Sequence, residues 1–182
     1  MNENKNCEGF IKIINQFRKL WTEHVVWTRF FIISTTADLE DLQFVTARLL
    51  RNPADFESAL KPFYGEEKAQ RFRQLLTEHL TIAAQLVNAA KEGKTEAVDE
   101  DRKKWYANAD EIADFLSQIN PFWSKSHWMI MLHDHLKLTE TEATERLTGQ
   151  YEQDVSLFDA IEDQALTMAD DMSDGIIRQF LK

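Results

Sequence analysis

The chain has 182 residues, of which 43% are hydrophobic and 29% are charged, and this suits one globular domain with a substantial core. The formal net charge of −10 argues against a nucleic acid or an anionic membrane as partner, because phosphate groups are bound by clustered Lys and Arg. Five glycines and three prolines are too few for a β fold with many turns. We therefore predict an all-α protein.

The single cysteine and the lengths of the apolar runs indicate in which compartment the protein is found. Cys7 is the only cysteine, so no intramolecular disulfide can form and a reducing compartment is expected. No apolar run reaches the roughly 18 residues of a membrane-spanning helix, and no basic-then-apolar signal peptide is present. We predict a cytoplasmic protein with no membrane partner, in which residues 1–8 are a disordered leader and residues 9–182 are one helical-bundle domain.

Apolar residues recur at spacings of three and four along most of the chain, as in amphipathic helices. The pattern predicts helices over about residues 9–33, 42–49, 65–90, 105–119, 124–147 and 151–180. The segment 53–65 is predicted to be irregular. Because the second and fourth helices are shorter than the others, we expect an antiparallel bundle of four long helices with two shorter connecting helices.

Each long helix carries a polar residue midway along its apolar stripe: His24, His79, His135 and Glu162. The three histidines are 55 and 56 residues apart, and "LKPFYGEEKAQRFRQLLTEHL" resembles "INPFWSKSHWMIMLHDHL". These regularities favour a duplicated unit of one short and one long helix. Chance similarity between amphipathic helices is the alternative.

Three imidazoles and a carboxylate in a bundle core would suit zinc, iron, nickel or manganese, so the leading hypothesis is a metal- or small-ligand-binding bundle. In it His24, His79 and His135 are nitrogen ligands, and Glu162 is an oxygen ligand or a general base. The alternative is a non-catalytic structural or interaction protein without a cofactor, whose histidines form a buried hydrogen-bonded polar layer. Ferritin-like and DinB-like ligand spacings are absent around all three histidines. Whether the protein is an enzyme is left open.

Further residues are candidates for the surroundings of the site. The acids that precede the histidines lie about 100° around each helix and are expected at the rim of the site or behind the ligands: Glu23, Glu78 and Asp134. Thr28 and Thr139 are candidate hydrogen-bond partners for the histidines. Arg29, beside Trp27, is expected at the surface or, if it faces inward, paired with Asp154, Asp159 or Glu162.

The five tryptophans are expected mainly in the core, with an aromatic pocket as the alternative. A homodimer that buries part of the aromatic surface is compatible with either functional hypothesis.

The segments "LWTEHVVWTR", "ARLLRNPADF", "LLTEHL", "WYANADEIADFLSQINPFW" and "DDMSDGIIRQF" together resemble a family of small bacterial helical-bundle proteins with no established activity. The resemblance covers almost the whole chain. Some members are labelled acetylglutamate kinase, but that enzyme type needs glycine-rich phosphate loops, whereas the five glycines here are isolated. More distantly, the pattern is similar to ferritin-like and DinB-like bundles, and this implies an all-helical fold.

Overall fold

The computed structural model describes residues 2–181, with side chains from residue 7 onward. Within that range the chain is all-helical and contains no strand. The helices are α1 (Asn2–Thr36), α2 (Leu42–Leu49), α3 (Asn52–Lys91), α4 (Thr95–Ile119), α5 (Lys125–Leu147) and α6 (Tyr151–Phe180). None of the helices described is long and apolar enough to cross a membrane.

The helices form a bundle that closes on itself. α1 packs on α3, α3 on α4, α4 on α5, α5 on α6, and α6 returns to α1, while α2 packs on α1. The apolar stripes point inward and build one main core, whose largest fully buried side chains include Trp128, Phe17, Phe56 and Phe72. The predicted all-α bundle is therefore confirmed.

The starts of α1 and α4 differ from the sequence-based prediction. α1 begins at Asn2 instead of Gly9, so the backbone is helical through most of the segment predicted to be a disordered leader. α4 has 25 residues and α5 has 23, so α4 is a full-length helix of the bundle and not a short connection. Its first turns come from the polar stretch after Lys91, because the loop between α3 and α4 is only three residues long.

The segment 53–65, predicted to be irregular, is mostly helical. Pro53 lies in the first turn of α3, where its missing N–H costs nothing. Phe56 and Leu60 are fully buried one turn apart, so this arm has its own apolar face. The helix breaks at Gly65, whose φ of 79° and ψ of 175° only glycine adopts readily. α3 therefore consists of two arms, residues 52–64 and 66–91, that run in different directions.

A close contact fixes α6 against the loop between α4 and α5. The Trp123 indole donates a hydrogen bond from Nε1 to the Asp171 carbonyl at 3.2 Å, and a Cβ built on Gly175 would lie 2.0 Å from the same Nε1. Only a glycine lets the indole lie this close to the helix backbone.

We expect Gly175→Ala to lower the free energy of unfolding by about 1–3 kcal/mol, because the new methyl group displaces the buried Trp123. The measurement is the midpoint of urea unfolding. The matched control is Gly9→Ala, since a Cβ there meets no atom within 4 Å and alanine favours the helix. Equal midpoints for the two variants would contradict the close packing of Trp123.

Candidate metal centre

Three histidines from three helices meet in the middle of the bundle. His24 lies on α1, His79 on the second arm of α3 and His135 on α5, and each is no more than 2% exposed. One ring nitrogen from each lies within 4.8 Å of those of the other two. The ring centroids are 5.4 Å apart for His24 and His135, and 6.1 Å apart for each of the other two pairs. The predicted histidine cluster is therefore present.

A buried asparagine orients His24. The amide of Asn52, on the first arm of α3, donates a hydrogen bond from Nδ2 to the Leu20 carbonyl at 3.0 Å. Its Oδ1 lies 3.1 Å from Nδ1 of His24. Leu20 is one helical turn before His24, so the amide links the imidazole to the backbone of the same helix.

The second histidine has the same arrangement. Asn108 on α4 donates from Nδ2 to the Leu75 carbonyl at 3.2 Å, and its Oδ1 lies 3.0 Å from Nδ1 of His79. Leu75 again lies one turn before the histidine.

The third histidine has a longer amide side chain as its neighbour. Gln164 on α6 donates from Nε2 to the Met131 carbonyl at 2.8 Å, and Met131 is one turn before His135. Here the imidazole and the amide oxygen do not form a hydrogen bond. Nδ1 of His135 and Oε1 of Gln164 are both buried and unpaired. The described bundle thus contains three similar arrangements of a histidine and an amide on a later helical segment, and the third is incomplete.

The hydrogen bonds of Asn52 and Asn108 determine which ring nitrogen of His24 and His79 carries the proton. Each amide nitrogen must face a backbone carbonyl, so the amide oxygen faces the imidazole. An oxygen only accepts, and Nδ1 is therefore the protonated nitrogen and Nε2 keeps its lone pair. Many metal-binding histidines are held in this way, with one ring N–H donated to a carbonyl and the other nitrogen left for the metal.

Burial keeps the imidazoles neutral. It lowers the pKa of His24 to about 4 and the pKa of His79 to about 3, and it places the pKa of His135 well below the usual value of 6.5. The proximity of the rings lowers the pKa of His79 and His135 further, because two charged imidazoles would repel each other. Near pH 7 the centre therefore presents unprotonated nitrogens.

Two tryptophans enclose the histidines. The ring of Trp21 lies 5.5 Å from that of His24, and the ring of Trp105 lies 5.3 Å from that of His79. Both indoles are 2% exposed, and neither Nε1 has a hydrogen-bond partner. Four of the five tryptophans are buried, as predicted for core residues, and Trp27 is half-buried beneath Arg48.

Glu162, predicted to be an oxygen ligand or a general base, does not belong to the cluster and is partly exposed. The error comes from the stripe assumed for α6. That stripe began with Tyr151 and Val155, which are 57% and 60% exposed, whereas the buried face of α6 is formed by Asp154, Ile161 and Ala165.

The three acids next to the histidines in sequence do not reach the rings. Glu78 and Asp134 are exposed, and Glu23 is paired with Arg48 at 3.1 Å. Among the described residues, the amides occupy the positions behind the imidazoles that were predicted for these acids.

The two threonines are buried but do not bond the imidazoles. Thr28 donates to the His24 carbonyl at 2.8 Å, and Thr139 donates to the His135 carbonyl at 2.9 Å. Each lies one turn after its histidine, so the pair lines the space next to the cluster.

Arg29 faces inward, and the surface position favoured by the sequence is wrong. Its guanidinium contacts Glu142 at 2.6 Å and Asp154 at 2.8 Å. Asp154 is one of the partners predicted for an inward arginine, whereas Glu142 was not expected. Burial raises the pKa of Glu142 to about 7. This ion-pair network therefore forms a second buried polar cluster.

The three amides are the part of the site that sequence reasoning missed. A signal is present in the numbering, because Asn52, Asn108 and Gln164 follow their histidines by 28, 29 and 29 residues. An internal repeat of three helix pairs, searched for amides as well as histidines, would have found it.

Comparison with protein-family models, curated proteins and solved structures gives no match to this chain. The resemblance to a bacterial bundle family, the likeness to ferritin-like or DinB-like folds and the homodimer therefore stay predictions.

In metal-free protein, we expect His79→Gln to make the free energy of unfolding less dependent on pH. Unfolded His79 binds a proton below about pH 6.5, but folded His79 does so only near pH 3. The wild type therefore loses stability as the pH falls through this window, by about 1 kcal/mol per pH unit for this group. Urea unfolding with EDTA at pH 7, 6 and 5 measures the two slopes.

The control for this experiment is Asn88→Ala on the same helix, which changes an exposed residue without removing a titratable group and should keep the wild-type slope. Glu142, whose folded pKa is raised, contributes stability that is lost as the pH rises toward 7, but it does so in all three proteins. Equal slopes for wild type and His79→Gln would contradict a neutral buried His79.

Proposed function

We propose that this protein binds one divalent transition-metal ion through Nε2 of His24, His79 and His135. The observation that carries the proposal is the pairing of Nδ1 with the amide oxygens of Asn52 and Asn108. This pairing leaves lone pairs, and not N–H groups, on the nitrogens that remain free to face the centre.

A buried polar layer without a metal accounts less well for this arrangement. His24 and His79 donate their only proton outward to an amide, so they cannot also donate to one another, and no hydrogen bond joins the three described rings. Buried acceptors without a partner are costly. Nε2 of His24 and Nε2 of His79 are thus two neighbouring acceptors, and a metal ion would accept both lone pairs together with one from His135.

The donor set indicates the kind of metal. Three neutral imidazoles without a carboxylate or thiolate suit zinc and the neighbouring ions cobalt, nickel and iron, and they suit magnesium or calcium poorly. Three protein ligands also leave a fourth position of a tetrahedral ion open, as in catalytic zinc sites. Because no ligand is anionic, the ion would keep its full charge and would strongly acidify a bound water molecule.

We expect the purified protein to take up one cobalt(II) or zinc per chain and His79→Ala to take up none. Metal uptake is lost because the substitution removes one of the three ligands and leaves only two imidazoles. Elemental analysis of untagged protein measures the metal, and the visible bands of cobalt(II) report its coordination. His133→Ala is the matched control and should keep one metal. Wild-type protein without metal, and with a thermal melt unaffected by EDTA, would refute the proposal and favour the polar layer.

Asn108→Ala should weaken metal binding by about 10- to 100-fold without abolishing it. The amide orients His79 and fixes its tautomer but does not touch the metal, and groups in such positions contribute to affinity on this scale. Competition with a chelator of known affinity gives the ratio. Asn88→Ala on α3 is a control, because the exposed Asn88 bonds only to the Ala84 carbonyl of its own helix. Unchanged affinity in Asn108→Ala would contradict the orienting role.

A further inference from the structure

A small cavity lies next to the histidine cluster, one helical turn along from all three rings. Thr28, Ala83 and Thr139 each follow a histidine by four residues, and all three line the same cavity. Trp105, whose ring lies 5.3 Å from that of His79, lines it as well. The cavity has a volume of about 20 Å³, room for little more than one water molecule.

The lining of the cavity is almost entirely apolar. Most of it comes from aliphatic and aromatic side chains, including Phe31, Ile32, Leu80 and Val87. Its polar residues are already engaged. The hydroxyls of Thr28 and Thr139 donate to backbone carbonyls, and Glu140 accepts a hydrogen bond from Arg102 at 2.8 Å.

One hydrogen-bond donor near the cavity has no partner in the described structure. The Nε1–H group of Trp105 is buried without a partner, and the side chain belongs to the cavity lining. An unpaired buried N–H is costly, so it would favour a guest that accepts one hydrogen bond. The unpaired indole of Trp21 differs, because Trp21 does not line the cavity.

We infer that the cavity is the binding place for an exogenous ligand of the metal, and that this ligand is an uncharged molecule of two or three atoms that accepts a hydrogen bond from Trp105. The inference rests on the proposed metal site, whose open position such a ligand would fill. The metal ion would attract an anion, but the apolar lining offers almost nothing to replace the hydration that the anion loses, and its one charged side chain, Glu140, is an acid that repels anions. The net charge of −10 also disfavours the approach of anions. The class includes nitric oxide and dioxygen.

The test uses the full chain loaded with cobalt(II) without oxygen, with nitric oxide and azide as probes. We expect nitric oxide to change the visible cobalt bands and azide to leave them unchanged. Ala83→Val, which fills the cavity, and Trp105→Phe, which removes the donor, should each weaken nitric oxide binding at least tenfold while one cobalt per chain is retained.

Two matched controls separate the cavity from general effects on the fold. Ala90→Val makes the same change on the same helix outside the cavity, and Trp123→Phe removes an indole N–H that lies outside the cavity and does not contact the histidines. Both should bind nitric oxide as the wild type does. If cobalt is bound but azide binds as readily as nitric oxide, or if Ala83→Val binds nitric oxide normally, the inference is overturned and the metal site stands. If the wild type takes up no cobalt, the proposed function and the inference both fail.

Discussion

The side-chain amides on the helical segments next to the histidines set the chemistry of the core. Asn52 and Asn108 each donate to a backbone carbonyl one turn before a histidine and accept from the same histidine. A neutral amide can do this only in one orientation, so the protonation of the ring is fixed without any charged group. The rest of the bundle depends on the imidazoles being neutral. Uncharged polar groups can be buried among tryptophans, because their hydrogen bonds offset the cost of burial.

The bonds between histidines and amides also involve the break in α3. His24 and His79 are each bonded to an amide on a later helical segment, and the break at Gly65 allows α3 to take part in both pairs. The first arm brings Asn52 to His24, and the second arm brings His79 to Asn108. A straight helix could not point at both neighbours, so the glycine is required by the site as well as by the chain path.

Periodicity predicted the elements whose burial depends on apolar side chains, and it placed all three histidines on inward stripes. It failed where polar groups are buried by specific partners. Asp154 and Glu142 are inside because Arg29 neutralises them, and a hydrophobicity pattern contains no information about such a pair. Asn52 was missed because it begins a proline-containing segment that was predicted to be irregular, although the apolar residues at 56, 59 and 60 form a helical face.

The spacing of 28 or 29 residues between each histidine and its amide has a consequence for folding. Loops of this length are closed at modest entropic cost, so the two bonded pairs, His24 with Asn52 and His79 with Asn108, can form locally before the bundle is complete. The ion pairs of Arg29 with Glu142 and Asp154 join residues 113 and 125 positions apart, and these require the docked chain. The two pairs can thus carry correctly oriented imidazoles from an early stage, and the three rings come together only when the helices dock.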